Sequence, residues 1–181
     1  MHERRFNREI ERLRDPDRIA RLDVGRVVDL TLEGLSFAKT ILEVGVGSGV
    51  FAEQFAFRGL EVTGLDVNPQ MVSAAQSFVP SGDFRVGIAE KLPFDDKSFT
   101  IVFMGLLLHE VDDLMAALSE ARRVATKRLV VLEWPYEDQS FGPPLGHRLS
   151  IENIEAAAKL AGFKGFQQKK LTNLVLYQFD L

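Results

Sequence analysis

An acid and three glycines at alternate positions, Glu43-x-Gly45-x-Gly47-x-Gly49, carry the strongest chemical signal in the chain. They follow the apolar pair Ile41-Leu42 and precede a helical pattern over 50–58. Without a Cβ the backbone can take positive φ, turn sharply and come close to a ligand. The following helix aims free N–H groups and the positive end of its dipole at whatever the turn holds. A nucleotide-like small molecule beyond the strand's carboxyl end is the expected ligand. A phosphate-cradling loop needs G-x-x-x-x-G-K-[ST], and no Lys-Ser or Lys-Thr follows these glycines. A dinucleotide loop needs Gly or Ala at position 50; this chain has Val50, with its third glycine one place early.

Asp66 closes the next strand pattern, where a carboxylate can accept two hydrogen bonds from the vicinal hydroxyls of a ribose. The competing role, a helix cap, falls more naturally to Asn68 directly before Pro69. Three residues are candidates for moving a proton near neutrality: His109, Glu133 and His147. Each has a structural counterpart. His109 also suits a residue that opens the next helix. His147 suits a link from the loop over 134–148 to the helix capped by Ser150, and Glu133 suits a pocket residue better than a base. Glu110, Asp112 and Asp113 read as favourable charges at a helix start, so no metal is expected.

Four segments in order resemble the class I S-adenosylmethionine-dependent methyltransferases: Glu43 to Gly49, Val62 to Asn68, Ala89-Glu90-Lys91-Leu92-Pro93-Phe94, and Phe99 to Asp113 with Leu107-Leu108-His109 inside it. The likeness covers roughly positions 40 to 180. It implies S-adenosylmethionine as cofactor, with Gly45, Val46, Gly47 and Gly49 wrapping its methionine part. Glu43 would help to hold the loop and the amino group, Asp66 the ribose, and Val67, Ala89 and Glu90 would lie near the adenine. Met104, Gly105 and Leu106 join them because ligands of open α/β sheets bind outside the strands' carboxyl ends. The chain departs from the family at Ile88, where an acid often meets the adenine amino group. The tract Gly142-Pro143-Pro144-Leu145-x-His147-Arg148-x-Ser150 resembles a segment of small methyltransferases related to ubiquinone and menaquinone biosynthesis enzymes.

These residues must be positioned by helices expected over 3–13, after Asp15-Pro16, and over 24–33, the last ended by Gly34. From Thr40 onward the pattern alternates: strand 40–45, helix 50–58, strand 61–66, helix 69–78, strands 83–87 and 99–105, helix 112–125, strand 127–133. Such alternation predicts an α/β fold, a doubly wound and mostly parallel sheet with helices on both faces. A last helix follows Ser150 and closes at Gly162, and two final strands flank the short turn Thr172-Asn173, which requires antiparallel neighbours. The resemblance adds a Rossmann-like, seven-stranded order 3-2-1-4-5-7-6. One domain is expected, with 1–36 a helical cap over the active site and 37–181 the cofactor-binding core.

Composition narrows the function. The 181 residues are 46% hydrophobic, and the net charge of −4 gives no general attraction for nucleic acid or anionic membrane. The arginines between 4 and 26 are nearly matched by acids, which reads as a solvated, salt-bridged face. There is no cysteine, which excludes disulfides, Cys-ligated zinc and thiol nucleophiles. No apolar run approaches the ~18 residues of a membrane span, so a cytoplasmic protein without membrane partners is expected. Met104-Gly105-Leu106-Leu107 stands where an N-P-P-Y tract would suggest DNA bases or protein Gln as acceptors. The expected function is therefore methyl transfer to a small molecule. A non-catalytic binder of the cofactor or its product, and a nicotinamide oxidoreductase, are the alternatives.

Overall fold

The computed structural model describes residues 10–181. The first expected helix therefore falls partly outside the described residues, and its end is α1, Ile10–Leu13. Asp15 caps α2, Pro16–Leu22, by accepting from the Arg18 N–H at 3.1 Å. Then come α3 (Val24–Leu32), β1 (Thr40–Val44), α4 (Val50–Phe57), β2 (Glu61–Asp66), α5 (Pro69–Phe78), β3 (Asp83–Val86) and β4 (Phe99–Gly105). The chain continues through α6 (Leu114–Val124), β5 (Ala125–Glu133), α7 (Ile151–Leu160), β6 (Lys164–Lys170) and β7 (Val175–Asp180). Asn68 and Ser150 cap α5 and α7 as their sequence positions suggest, each accepting a backbone N–H. The sixth helix starts later than expected because Asp113 is its cap, accepting from Ala116 N–H at 2.9 Å. β5 takes the two residues gained at the helix's other end.

The seven strands form one sheet in the order β3-β2-β1-β4-β5-β7-β6. β1, β2, β3, β4 and β5 pair in parallel, and β7 runs antiparallel between β5 and β6. Strand parity splits the core into two apolar layers. Leu42, Val44, Val102, Met104, Leu129 and Val131 pack on the face covered by α6 and α7. Ile41, Ile101, Phe103, Val130 and Leu132 pack on the other, with residues of α3, α4 and α5. Phe103 meets Phe51 and Phe55 there at centroid distances of 5.0 and 5.2 Å.

The expected division at position 36 does not separate α3 from the core. Val27 and Val28 are fully buried in the same layer as Ile41 and Phe55, and the end of α3 is pinned to β5 and β7. Gln178 Nε2 donates to Leu30 O at 2.7 Å, and Arg128 Nη1 donates to Glu33 O at 2.7 Å. Only α1 and α2 lie over the strand ends. Among the described residues no helix is long and apolar enough to cross a membrane.

Candidate active site

The carboxyl ends of β1, β2 and β4 open into a cleft of about 1280 Å³, roofed by α1 and α2 on one side and by the loop over 134–148 on the other. Its floor is the glycine turn. Gly45 and Val46 donate their N–H groups to Leu65 O at 2.7 and 2.9 Å, so the turn is tied to β2 before it reaches the ligand side. Gly47 has φ +52° and open space where a side chain would start, apart from Leu13 at 3.7 Å. A residue with a Cβ would be strained there and would narrow the cleft.

Glu43, Gly45, Val46, Gly47, Asp66, Val67, Ala89, Gly105 and Leu106 all line this cleft, as do His109 and His147. Four expected site residues do not. Gly49 is used for packing: its φ is +78°, and a Cβ would come within 3.1 Å of Ala75 Cα on α5, so this glycine lets two helices approach. Met104 is fully buried, because parity turns it onto the α6 face. Glu90 is spent on a loop, its carboxylate accepting from the Asp112 and Asp113 N–H groups at 2.9 and 3.4 Å. Glu133 lies behind His109 and is 1% exposed.

Asp66 is arranged as a hub. One carboxylate oxygen accepts from Gly47 N–H at 2.8 Å and the other from Asn68 N–H at 2.9 Å, so it fixes both the turn and the start of α5. A carboxylate offers about four acceptor sites, and with Val67 also donating, part of that capacity is left for the cleft. Burial raises the Asp66 pKa, against the hydrogen bonds from Asn68, Gly47 and Val67, which lower it. Val67, 41% exposed, presents an apolar face beside it.

Glu43 is 2% exposed, and its Oε2 has no hydrogen-bond partner among the described residues; the buried Ser48 Oγ has none either. Both groups line the cleft. Two orphaned polar atoms at a glycine turn fit a ligand that brings a cationic donor. Burial, and then the charge of Asp66, raise the Glu43 pKa well above its ordinary value of 4.5, against a hydrogen bond from Ala52. A raised carboxyl pKa means that the fold prefers the protonated form. Stability is then highest below about 4.5 and is lost as pH rises toward the folded value. Glu43→Gln is expected to raise the melting temperature of the ligand-free chain at neutral pH and to leave it nearly unchanged near pH 4. Thermal melts across pH check this, and equal melting temperatures at neutral pH would contradict it.

At the end of β4 the backbone is strained. Leu106 takes φ +57° while its N–H donates to Leu132 O at 2.7 Å. Left-handed conformations of branched residues cost free energy and cluster at functional sites. The bend delivers His109 to the cleft. His109 Nδ1 lies 2.8 and 3.1 Å from the two Glu133 carboxylate oxygens, and its backbone N–H donates to the same carboxylate at 3.2 Å. Nε2 stands 3.7 Å from the Glu110 carboxylate. Burial lowers the His109 pKa, but Glu133 and then Glu110 outweigh it and leave the value raised, with Arg148 pulling the other way.

The loop after β5 is held by Arg148, a role the sequence suggested for His147. Arg148 is 6% exposed and donates to the carbonyls of Pro135, Glu137, Phe141 and Pro143 and to Gln139 Oε1, all within 2.8–3.0 Å. A lone loop arginine has no periodic signature to announce such a contact set. The arginine-rich start of the chain is also not simply a salt-bridged face. Arg14 pairs with Glu53 and donates to Ser48 O at 2.9 Å, whereas Arg12, Arg18 and Arg21 line the cleft.

Residues 42–130 match the family described as Methyltransferase domain. A demethylmenaquinone methyltransferase of Chlorobaculum tepidum is 40% identical over 85 residues, 46% of this chain and 35% of that protein. The chain spans between 35% and 62% of the demethylmenaquinone methyltransferases it matches. An uncharacterized methyltransferase of Synechocystis sp. is 32% identical over 79% of this chain and 72% of its own length. In fold, the chain is similar to a SAM-dependent methyltransferase of Aquifex aeolicus, with a TM-score of 0.81 over 94% of this chain and 96% of that one at 24% identity. The seven-strand order, the glycine turn with its acids, and these likenesses agree: the chain belongs to the class I S-adenosylmethionine-dependent methyltransferases, and S-adenosylmethionine is its cofactor.

Proposed function

We propose that this chain transfers a methyl group from S-adenosylmethionine to a small molecule. One observation carries the reading. A single cleft runs from Asp66 and the glycine turn to His109 and the loop after β5, and its volume of about 1280 Å³ exceeds the ~300–1,000 Å³ typical of one drug-sized ligand. It has room for two ligands side by side. The demethylmenaquinone methyltransferases among the relatives support an acceptor of small-molecule type.

When bound, the cofactor supplies an electrophilic methyl group on a sulfonium. The rest is done by the chain. The glycine turn and Glu43 receive the amino-acid end, and the buried Glu43 carboxylate becomes favourable once a cation faces it. Asp66 offers its remaining acceptor capacity to the ribose hydroxyls, and Val67 and Ala89 give the base an apolar wall. Orientation of the acceptor supplies much of the rate in such a displacement. For an acceptor that arrives protonated, His109 Nε2 takes the proton. Glu133 holds Nδ1 and so fixes the ring and its tautomer; it is a positioning residue. His147, on the loop side, borders the acceptor.

Adding S-adenosylhomocysteine should raise the melting temperature, and NADH should not. Asp66→Ala should weaken S-adenosylhomocysteine binding by about tenfold to a few hundredfold, the worth of losing charge-assisted hydrogen bonds. Methyl release on a panel of small hydroxylated and amine acceptors then tests turnover. A wild-type chain that does not bind S-adenosylhomocysteine ends this reading. Binding without turnover across the panel favours a sensor or scaffold.

A further inference from the structure

Glu43 has one oxygen that folding uses and one that it does not. Its carboxyl accepts the Ala52 N–H from the first turn of α4, while Oε2 has no partner in a side chain that is 2% exposed. We propose that Glu43 carries a proton in the ligand-free chain and gives it up to solvent when the cofactor's ammonium group docks, so that cofactor binding is coupled to proton release. The inference rests on the function proposed above and adds a charge exchange at the cofactor's amino-acid end.

The position of Glu43 in the sheet explains why it is so poorly served. Strand parity puts it on the same face as Ile41, and its register partners are Gly64 on β2 and Phe103 on β4, neither of which has a side-chain donor. The glycine turn brings N–H groups close, but those of Gly45 and Val46 go to Leu65 O and that of Gly47 goes to Asp66. Capping α4 takes one acceptor oxygen, which a neutral side chain also supplies. Glu43 lines the cleft, so its second oxygen is the part of it that a ligand can use.

The charged groups around it, among the described residues, do not supply a counter-ion. Asp66 stands at the end of β2, Glu53 on α4, Arg14 just after α1 and His109 beyond β4, while Arg12, Arg18 and Arg21 line the cleft from α1 and α2. Glu53 and Arg14 pair with each other, and His109 is held by Glu133. Of all these, Asp66 is the one that acts on the Glu43 proton, and it acts by repulsion. Asp66 receives the N–H groups of Asn68, Gly47 and Val67, whereas Glu43 receives that of Ala52. Asp66 therefore keeps the negative charge and Glu43 the proton. A buried carboxylate with no cation beside it is costly, and an opposite charge brought within ~4–6 Å favours the ionised form. The ammonium arrives already protonated, an ion pair replaces the carboxyl O–H bond, and the proton leaves to water.

The experiment follows S-adenosylhomocysteine binding to the full chain by calorimetry, at neutral pH and in buffers of different ionisation enthalpy, which reports the protons exchanged. Wild type should release about one proton per molecule bound. Its affinity should rise by up to about tenfold per pH unit between about pH 5.5 and 7, where the amine itself stays charged. Methylthioadenosine, which has the base and ribose but no amino-acid part, should bind without proton release. Glu43→Gln, which keeps an acceptor for Ala52, should bind S-adenosylhomocysteine without release and with an affinity indifferent to pH. Release that persists in Glu43→Gln overturns the proposal. Equal release with methylthioadenosine also overturns it, because the proton then comes from the ribose end, at Asp66. Release that is lost in His109→Gln, with Glu43 intact, assigns the proton to the imidazole and has the same force. Wild type that binds S-adenosylhomocysteine without releasing a proton overturns the proposal and leaves the methyltransferase reading standing. Wild type that does not bind S-adenosylhomocysteine refutes that reading itself.

Discussion

His109→Gln is expected to slow methyl transfer to a protonated acceptor by about 10²–10⁴-fold, the usual worth of a positioned general base, while S-adenosylhomocysteine binding is unchanged. The effect is large because the imidazole is held from behind: Nδ1 is 2.8 Å from Glu133, which frees Nε2 for the cleft. The raised His109 pKa sets the pH dependence. A base must be neutral, so the rate should climb with pH through a value above 6.5. Glu133→Gln removes the strongest upward pull, so the acid limb should move to lower pH as the plateau rate falls. Stability moves in the opposite sense. A raised histidine pKa contributes stability that is fully present below 6.5 and is lost as pH rises through the folded value. Glu133→Gln should therefore destabilise the chain most at mildly acid pH. Rate profiles and melts of the two variants check both; a profile that Glu133→Gln does not shift would remove Glu133 from this role.

Arg148→Met should loosen the loop over 134–148 and cost about 2–4 kcal/mol. That estimate takes charged hydrogen bonds at ~1.5–3 kcal/mol each and allows the freed carbonyls to reach water. For a chain of this size the melting temperature would fall by roughly 5–15 °C. Methionine keeps the apolar length over Trp134, whose ring lies 5.7 Å from the guanidinium carbon and packs against Gly142 and Phe141. Because Phe141, Pro143 and His147 border the side of the cleft away from Asp66, KM for the acceptor should rise while cofactor affinity holds. Removing a positive charge that opposes protonation of His109 should also move its pH profile upward. Equal acceptor KM in wild type and variant would show that the loop does not shape the acceptor site.

The elements legible in advance share a local cause. Strand and helix patterns over 61–66, 69–78 and 99–105 match the observed elements residue for residue, because period and caps lie within a few positions of one another. Gly47 and Asp66 were equally readable as parts of the cleft wall: φ +52° is a conformation that glycine adopts without strain, and an acid at a strand end can accept the N–H groups of the turns around it. The misplaced residues share a different cause. Met104 belongs to a stretch near the strand ends that does border the cleft, but strand parity turns its own side chain into the core. Gly49 has the backbone expected of a loop glycine, yet the close approach it permits is to Ala75 of a neighbouring helix.

The amino-acid sequence alone determined the alternation of strands and helices, the side-chain-free bend after β1 and the acid opposite it, since each follows from backbone sterics and short-range hydrogen bonding. Only the tertiary structure decided that Glu133 stands behind His109, that Glu90 braces the start of α6, that Arg148 gathers the loop and that Arg21 faces the cleft. Those pairings join groups that a linear pattern does not relate. A buried charge takes whichever partners the packed layers bring within reach, and packing is a property of the whole chain.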